Sequence, residues 1–456
     1  MKAGTYLVYI FFFLILTFTG LAQDKTSYFL GLNPQNNALN PAYTYNRSIV
    51  IFNPALSVSV ANSGLTFHTM FNKGKGAQDT LLFWDFEKME KKLGKSNSFY
   101  GEGGISLLFA GKPLRHRMYL SFQLSRKYTA VLSYPQTFLE LRYGNADLQQ
   151  NKPRTIDLNH YALNGSAYDE FSFGLSKQFS KKFTGGAHLK ILQGKFGVRT
   201  DRFLASIVTS PDFSSSVLST NARVLFSSPV LKRKPGSSRL EIDMSGMREQ
   251  SSWLYYTLGN LGAAIDLGAI WNVSDRLKLA ASLNDLGFIH WGAEPQQLVS
   301  KGEYLFDGFY FSAQNFEKFD AKNYFKHYTD TIQTLFFPKE NYESFSTRLN
   351  AKSYLGASYK YDDHYTFTGL IKSTFYKEYF LLETTLGAVY RPKKRIAVSG
   401  TWSFSNYSLY NFGLGASYTG KKYQVYAVTD NINAITILDV KGVNLALGVS
   451  WVIWQE

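Results

Sequence analysis

Residues 410–418 read YNFGLGASY, and this stretch decides the fold. Its even positions carry Tyr, Phe, Leu, Ala and Tyr, whereas its odd positions carry Asn, Gly, Gly and Ser. Successive side chains of a β-strand point to opposite faces, so the alternation predicts a strand with one apolar face and one small or polar face. The same alternation runs through residues 171–179, 261–272 and 443–454. The sequence therefore predicts an all-β protein.

The polar faces of these strands differ from those of a soluble β-sandwich. They are rich in Gly, Ser, Ala and Asn with occasional charges, and the apolar faces end in Tyr, Trp or Phe near the strand termini. This combination is typical of a transmembrane antiparallel β-barrel, with a lipid-facing apolar band, aromatic girdles and a polar interior. A barrel pairs its backbone groups between strands, so it needs no apolar helix to cross a membrane. The rival fold is a soluble secreted β-sandwich.

We predict about fourteen strands, near residues 55–71, 98–110, 115–131, 160–179, 183–200, 257–271, 275–284, 346–360, 364–376, 379–390, 395–405, 408–418, 422–429 and 441–453. An even number is expected for a bacterial single-chain barrel. Successive connections of an antiparallel barrel alternate between its two ends. This alternation places all four long connections, 72–97, 132–159, 201–256 and 285–345, at one end and only short turns at the other. The strand-like stretch Ala222–Phe226 leaves open a further hairpin, which would give sixteen strands. Short helices are predicted in the long extracellular loops, at Thr80–Leu93, Gln136–Tyr143 and Asn323–Phe336.

The first residues have the layout of a secretory signal peptide. Lys2 precedes the apolar run Tyr6–Phe18, and Gly20-Leu21-Ala22 supplies small residues for cleavage after Ala22. The alternative is a membrane anchor, but thirteen residues are short for a helix that must cross about 30 Å. The predicted organisation is a signal peptide at 1–22, an N-terminal periplasmic or plug segment at 23–54, and an outer-membrane barrel at 55–456.

The composition excludes several classes of function. The chain has 456 residues, 75 of them aromatic, and no cysteine, which excludes a disulfide scaffold, a thiol nucleophile and a cysteine-ligated metal. None of the seven histidines pairs with another at metal-ligand spacing, and no nucleophile elbow or phosphate-binding loop occurs. We therefore predict no enzymatic activity, no cofactor and no metal. The net charge of +15 does not indicate nucleic acid, because no nucleic-acid motif accompanies it.

Seven charged residues fall on the inward phase of the predicted strands and are candidate lumen-facing charges: Lys190, Asp266, Lys278, Lys352, Lys360, Lys372 and Glu383. A charge on the lipid face would cost about 2–4 kcal/mol at the midplane, which supports this phase. They form either an ion-pair network in a closed barrel or the lining of a pore. Fourteen strands enclose more space than side chains fill, since about eight strands are just filled. Water, a ligand or a plug supplied by residues 23–53 must occupy the remainder.

Four short turns carry basic clusters: Lys112 with Arg115 and Arg117, Lys181-Lys182, Lys393-Lys394-Arg395 and Lys421-Lys422. Contact with the phosphates of outer-membrane lipid is the favoured interpretation. Docking of an acidic periplasmic or secretion-apparatus protein is the alternative.

Two segments have similar sequences: SLNDLGFIHW at 282–291 and VTDNINAI at 428–435. In each, an Asp interrupts the alternation, and because Asp and Asn favour turns, we predict strand exits or bulges on the loop side. The candidate motif residues are Asn284, Asp285, Gly287, Asp430 and Asn431, together with Asn40 and Pro41 of the stretch LNPAY at 39–43.

These stretches, with KILQG at 190–194, resemble an uncharacterised outer-membrane β-barrel family of Bacteroidota, a domain of unknown function. Asn-Pro-Ala near the N-terminus is also similar to the PorP/SprF-like barrels of type IX secretion, and fourteen strands with an N-terminal segment resemble the FadL-like transporters of hydrophobic compounds. The resemblance implies an outer-membrane barrel and carries over no catalytic residues. The first functional hypothesis is a structural or accessory role in surface assembly or secretion, and the alternative is a transporter or channel for hydrophobic or small solutes.

Overall fold

The protein forms a closed antiparallel β-barrel, as a computed structural model of the chain shows. The structure describes residues 24–31, 35–45, 48–73, 82–143, 146–147, 152–233, 240–242, 256, 258–307, 343–377, 380–405, 411–432 and 442–455. The predicted signal peptide at 1–22 and the predicted helix at Asn323–Phe336 lie outside the described residues.

Fourteen strands close the ring within the described residues, and we label them in chain order. They are β1 (Ile49–Asn62), β2 (Ser96–Leu114), β3 (Met118–Pro135), β4 (Ala162–Gln178), β5 (Phe183–Thr209), β6 (Leu261–Asn272), β7 (Leu277–Trp291), β8 (Ala351–Lys360), β9 (Tyr365–Phe375), β10 (Phe380–Lys393), β11 (Ile396–Ser405), β12 (Asn411–Thr419), β13 (Tyr423–Thr429) and β14 (Gly442–Gln455). The ring closes because Leu56 of β1 is paired with both Ile105 of β2 and Leu447 of β14. The predicted all-β barrel of fourteen strands is confirmed.

Short turns join β2 to β3, β4 to β5, β6 to β7, β8 to β9, β10 to β11 and β12 to β13, and all six lie at one end of the barrel. We call this end the short-turn end and the opposite end the loop end. The described helices are short: α1 (Asp24–Ser27), α2 (Gln35–Leu39), α3 (Phe67–Met70), α4 (Phe86–Lys92) and two 3₁₀ segments at Arg115–Arg117 and Gln136–Tyr143. Among the described residues, no helix has the length and apolar character to cross a membrane.

Several boundaries differ from the sequence-based expectation. β1 runs from Ile49 to Asn62 rather than over 55–71, and its pairing with β2 shifts register between Phe52 and Ala55. Pro54 lies in this shift, where the ladder is interrupted and a proline is tolerated. The helix predicted at Thr80–Leu93 is shorter, since Leu82–Trp84 is a strand and the helix α4 begins at Phe86.

The strand-like stretch Ala222–Phe226 does belong to a strand, Ser216–Ser227, but this strand lies beyond the ring. It pairs with the loop-end half of β5 and with the strand Pro295–Phe306, whereas β5 and β6 pair directly below it. The number in the ring therefore stays at fourteen. Other strands outside the ring are Thr155–Asp157 and Phe345–Arg348, which pair with β5 and β7, and the hairpins Phe71–Lys73 with Leu82–Trp84, Ala146–Asp147 with Lys152–Pro153, and Leu231–Arg233 with Leu240–Ile242.

The ring is apolar outside and polar inside, the reverse of a soluble protein. On β12, Phe412 and Leu414 are 47% and 49% exposed, whereas Ser417 on the opposite face is buried. Aromatic residues surround the short-turn end on the outer face: Phe179, Phe183, Trp271, Tyr359, Tyr361, Tyr365, Tyr390, Tyr418, Tyr423 and Trp451. On β9, Tyr365 at this end and Phe375 at the other lie about 33 Å apart along the strand, which a barrel tilt reduces to roughly 25 Å. This height matches the apolar band of a membrane barrel.

Candidate functional site

The N-terminal segment, which comprises the described residues 24–31 and 35–45, lies inside the ring. On one side of the lumen it contacts the inward faces of β3 to β7. Asn40 Nδ2 donates to the carbonyl of Ala281 at 3.1 Å, and Ser282 Oγ donates to the carbonyl of Leu39 at 2.7 Å. Ser176 Oγ donates to the carbonyl of Pro41 at 2.5 Å. The polar inward face of the strands thus bonds to the backbone of the segment.

Two glycines make room for the turn at Asn40 and Pro41. A Cβ atom at Gly268 would lie 2.2 Å from Asn40 Oδ1, and one at Gly186 would lie 2.5 Å from the Pro41 carbonyl oxygen. Such distances are shorter than van der Waals contact, so any side chain there would push the turn away from β5 and β6. Asn40 Oδ1 also accepts the backbone N–H of Ala42 at 2.9 Å, which fixes the turn locally.

The start of the segment is held on the opposite side of the lumen, by β10 to β13. Lys25 Nζ lies 2.7 Å from Glu383 Oε1, and the backbone N–H of Thr26 donates to Asp430 Oδ1 at 2.8 Å. Thr26 Oγ1 lies 2.8 Å from Thr401 Oγ1. Strands β4 to β7 and β10 to β13 face each other across a ring of fourteen. The N-terminal segment therefore bridges the lumen.

Aromatic packing fills the space between these two attachments. Tyr28 is fully buried and its ring stacks on that of Tyr354 at a centroid distance of 5.7 Å. Burial raises the pKa values of the Tyr28, Tyr43 and Tyr45 hydroxyls above their usual range. A tyrosine hydroxyl is neutral at physiological pH even at its usual pKa, so these three add no charge to the lumen.

Six ionisable residues form a buried charge cluster beside the segment: Lys127, Glu170, His188, Lys190, Asp266 and Asp285. Lys190 Nζ is central, at 2.7 Å from Asp266 Oδ2 and 2.7 Å from Asp285 Oδ1. Lys127 Nζ lies 2.8 Å from Glu170 Oε2. The backbone N–H of Asp285 donates to Asp266 Oδ1 at 2.8 Å. Each of these carboxylates is close to a lysine, as buried charges require.

His188 connects the charge cluster to the N-terminal segment. Its Nδ1 lies 3.1 Å from Asp266 Oδ2, and its Nε2 lies 3.2 Å from Asn37 Oδ1. Sequence reasoning selected Lys190 and Asp266 as lumen-facing, and both are buried in the cluster. It missed Lys127, Glu170 and His188 as members, although the alternation of their strands places all three on the inward phase.

The other predicted lumen charges separate into two groups. Lys352 Nζ lies 2.7 Å from Glu102 Oε2, and Lys372 Nζ lies 3.7 Å from Glu383 Oε2, all in the loop-end half of the lumen. Lys278 and Lys360 lie at the inward phase of β7 and β8 but are exposed at the short-turn end. Lys360 pairs with Asp363 of the adjacent turn rather than with a lumen residue.

A polar pocket opens toward the loop end, above the start of the N-terminal segment. It holds about 740 Å³ of empty space, including its open mouth. Its charged lining residues are Lys25, Glu102, Lys372, Glu383 and Asp430, and its other polar or aromatic lining residues include Asn62, Tyr100, Tyr376, Asn411, Asn431 and Asn444. Among the described residues, no group of His, Asp or Glu is arranged to hold a metal ion. The lining of the pocket offers hydrogen-bonding and charged groups.

The described residues of the two similar sequence segments, 282–291 and 428–432, contact the N-terminal segment from opposite sides of the lumen. Asp285 has a positive φ of 62° at a register shift between β6 and β7, so it forms the predicted bulge. A Cβ at Gly287 would lie 2.2 Å from the Ala263 carbonyl oxygen, which shows how closely the strands approach there. Asn284 Nδ2 donates to the Leu39 carbonyl at 2.8 Å, and Asp430 and Asn431 follow the end of β13. The sequence indicated the two motifs but not their common role, which is to contact the N-terminal segment.

The short-turn end is strongly basic. The residues at 112–118, 177–183, 272–278, 360–365, 391–395 and 421–422 include fifteen Lys or Arg and three Asp. The predicted clusters at Lys112, Arg115, Arg117, Lys181, Lys182, Lys393, Lys394, Arg395, Lys421 and Lys422 are all exposed. Most of the net charge of +15 therefore lies at the short-turn end, next to the outward-facing aromatic residues that surround it.

One family profile matches most of the chain, and solved barrels are similar to it at low sequence identity. The profile of a family of unknown function (DUF5723) matches residues 38–430. No curated protein matches the sequence. Among solved structures, the toluene transporter TbuX of Ralstonia pickettii is similar at 9% identity and a TM-score of 0.42, covering 91% of each chain. A FadL homologue of Pseudomonas aeruginosa has 12% identity and a TM-score of 0.42, covering 96% of this chain and 100% of its own.

Proposed function

The chain belongs to the DUF5723 family of unknown function, and we propose that it is an outer-membrane barrel that passes small polar solutes and is closed by its own N-terminal segment. The observation that carries this proposal is the position of the segment. It bridges the lumen from Asn40 on the side of β4 to β7 to Thr26 on the side of β10 to β13, directly beneath the pocket.

The interior favours a polar solute over a hydrophobic one. The pocket is lined by five charged residues and four asparagines, and an apolar molecule entering it would strip water from these groups without replacing their hydrogen bonds. The segment is held by hydrogen bonds, by the ion pair of Lys25 with Glu383 and by the packing of Tyr28 on Tyr354. Because each neutral hydrogen bond contributes only about 0.5–1.5 kcal/mol net, single substitutions weaken the attachment in small steps.

The proposed location is the outer membrane, with export through a cleaved signal peptide at residues 1–22. The apolar outer face and its aromatic belt support a membrane location, because a soluble protein would not expose so large an apolar surface. Closed barrels of this kind are characteristic of outer membranes. In this orientation the short-turn end is periplasmic and the pocket faces the cell exterior.

Deletion of residues 24–45 tests the closure. The ring is expected to survive because β1 begins at Ile49 and pairs on both sides without the segment. In proteoliposomes, the deleted variant should swell faster in arabinose and in glycine than the full chain. The double variant Thr26→Ala/Asn40→Ala keeps the segment and weakens both attachments, so its rate should be intermediate. Equal rates in all three proteins would refute the proposal.

The second candidate is a structural or accessory role in surface assembly or secretion, which the basic short-turn end favours. Fifteen exposed or partly exposed cations at one rim suit contact with an acidic periplasmic protein of a secretion apparatus. Cells carrying Lys393→Glu/Lys394→Glu/Arg395→Glu should then lose surface proteins while the barrel remains in the outer membrane. Unchanged surface proteins would contradict this role.

A further inference from the structure

Asp430 has an oxygen atom that the rest of the described chain leaves unused. The side chain is 1% exposed and lines the pocket at the end of β13. Its Oδ1 accepts the backbone N–H of Thr26, but within the described residues its Oδ2 has no hydrogen-bond partner. A buried polar atom without a partner is costly and calls for an explanation. A donor on a bound molecule would supply the missing bond.

The charges around the pocket cancel, which selects against a charged ligand. Lys25 and Lys372 both lie near Glu383, at 2.7 Å and 3.7 Å. Lys352 lies beside the lining residue Glu102 at 2.7 Å. With Asp430, these groups comprise three lysines and three carboxylates. A ligand with no net charge leaves this balance intact.

The remaining lining residues combine amides with aromatic rings. Asparagines at 62, 411, 431 and 444 contribute amide groups to the lining. The Oδ1 atoms of Asn62 and Asn444 already accept the backbone N–H groups of Gly64 and Asp430, so the Nδ2 groups of these two are the donors that suit hydroxyl oxygens. Tyr100 and Tyr376 lie with ring centroids 5.8 Å apart in the same lining. A sugar ring has hydroxyls around its edge and apolar C–H groups on its faces, so it matches both parts of the lining. We propose that the pocket binds a small neutral saccharide, with a sugar hydroxyl donating to Asp430 Oδ2 and a sugar face against Tyr376.

This inference rests on the proposed function, since it takes the pocket as the entrance to the path, but binding is measured without transport. The test is calorimetric titration of the purified full chain, in a detergent without a sugar headgroup, with maltose, lactose and raffinose. Glycylglycine is the zwitterionic comparison. The expected result is saturable binding of at least one saccharide and not of glycylglycine.

Three variants locate the bound saccharide. Asp430→Asn keeps the acceptor for Thr26 but replaces Oδ2 by a donor, so affinity should fall tenfold or more. Tyr376→Ala should weaken binding similarly, whereas Tyr376→Phe keeps the ring and should stay within about threefold. Asp275→Asn, at an exposed short turn, is the matched control and should bind as the unaltered protein does.

Each outcome decides the inference. Binding of no saccharide, binding of glycylglycine alone, or affinity unchanged in both Asp430→Asn and Tyr376→Ala overturns it. If swelling still depends on residues 24–45 in that case, only the ligand class fails. If saccharide binds as expected while swelling is independent of the segment, the proposed closure fails and the site stands.

Discussion

Lys190 should contribute far more to the free energy of unfolding than a lysine in an exposed ion pair. Its side chain is 3% exposed and its Nζ lies 2.7 Å from each of Asp266 and Asp285. Lys190→Met leaves three carboxylates in the charge cluster with Lys127 as their remaining lysine. Loss of one partner from a buried ion pair costs roughly 3–5 kcal/mol, because the opposite charge stays buried. We expect a loss of that size in the free energy of unfolding.

The matched control is Lys360→Met, which removes the same side chain from an exposed pair. Lys360 and Asp363 have side chains 52% and 88% exposed, and such pairs contribute about 0–1 kcal/mol. The assay is urea unfolding of the barrel in phospholipid vesicles, followed by tryptophan fluorescence and by mobility on unheated gels. Lys190→Met/Asp266→Asn removes one charge of each sign and should recover part of the loss. Equal losses for Lys190→Met and Lys360→Met would refute the reasoning.

Three further predictions concern the outer face, the N-terminal segment and the loop-end core. Leu267→Lys, on the outer face of β6, should lower the free energy of unfolding in vesicles by about 2–4 kcal/mol. Leu305→Lys should lower it by less than about 1 kcal/mol, because Leu305 shares an exposed face with Lys301 and Glu303 beyond the ring. Equal losses would argue against a membrane at the height of Leu267. Asn40→Ala removes the hydrogen bonds to Ala281 and Ala42. If the closed state loses about 1.4 kcal/mol, the fraction of open barrels rises tenfold, which is measured as open time in planar bilayers. An unchanged open time would show that these bonds do not hold the segment. Trp291→Ala removes a fully buried side chain beside Phe345 and should lower the free energy of unfolding by about 3–5 kcal/mol, which shifts urea unfolding to lower concentration. An unaltered midpoint would show that the packing around Trp291 does not contribute to the stability of the ring.

The fold was predictable because each strand of a membrane barrel has a lipid face and a lumen face, so apolar residues recur at every second position. In the described part of YNFGLGASY, Asn411–Tyr418, every apolar residue faces outward, and the turn lengths then distinguish the two ends of the barrel. The boundaries were less predictable. β1 continues through Pro54 because a register shift accommodates it, which no local pattern indicates.

The site was only partly predictable, for a physical reason. The alternation shows that Lys190 and Asp266 face inward and shows the same for Lys127 and Glu170, but which of these inward residues meet depends on strand register. The contacts of the N-terminal segment depend on how a short turn fits against Gly186 and Gly268, and the sequence around those glycines resembles any other small-residue strand face. The pattern therefore locates a lumen but not its occupant.

The N-terminal segment must move for solute to pass, and a reversible disulfide between the segment and the ring measures whether it does. Thr26 and Thr401 have Oγ1 atoms 2.8 Å apart, which brings two sulfurs within bonding reach, and the chain has no cysteine to compete. The measurement is arabinose swelling of proteoliposomes containing Thr26→Cys/Thr401→Cys, oxidised and then reduced, with Thr26→Cys alone as the control. We predict that oxidation abolishes swelling and that reduction restores it only in the double variant. Equal swelling of the oxidised and reduced double variant, with the disulfide verified by mass, would show that solute passes without movement of the segment.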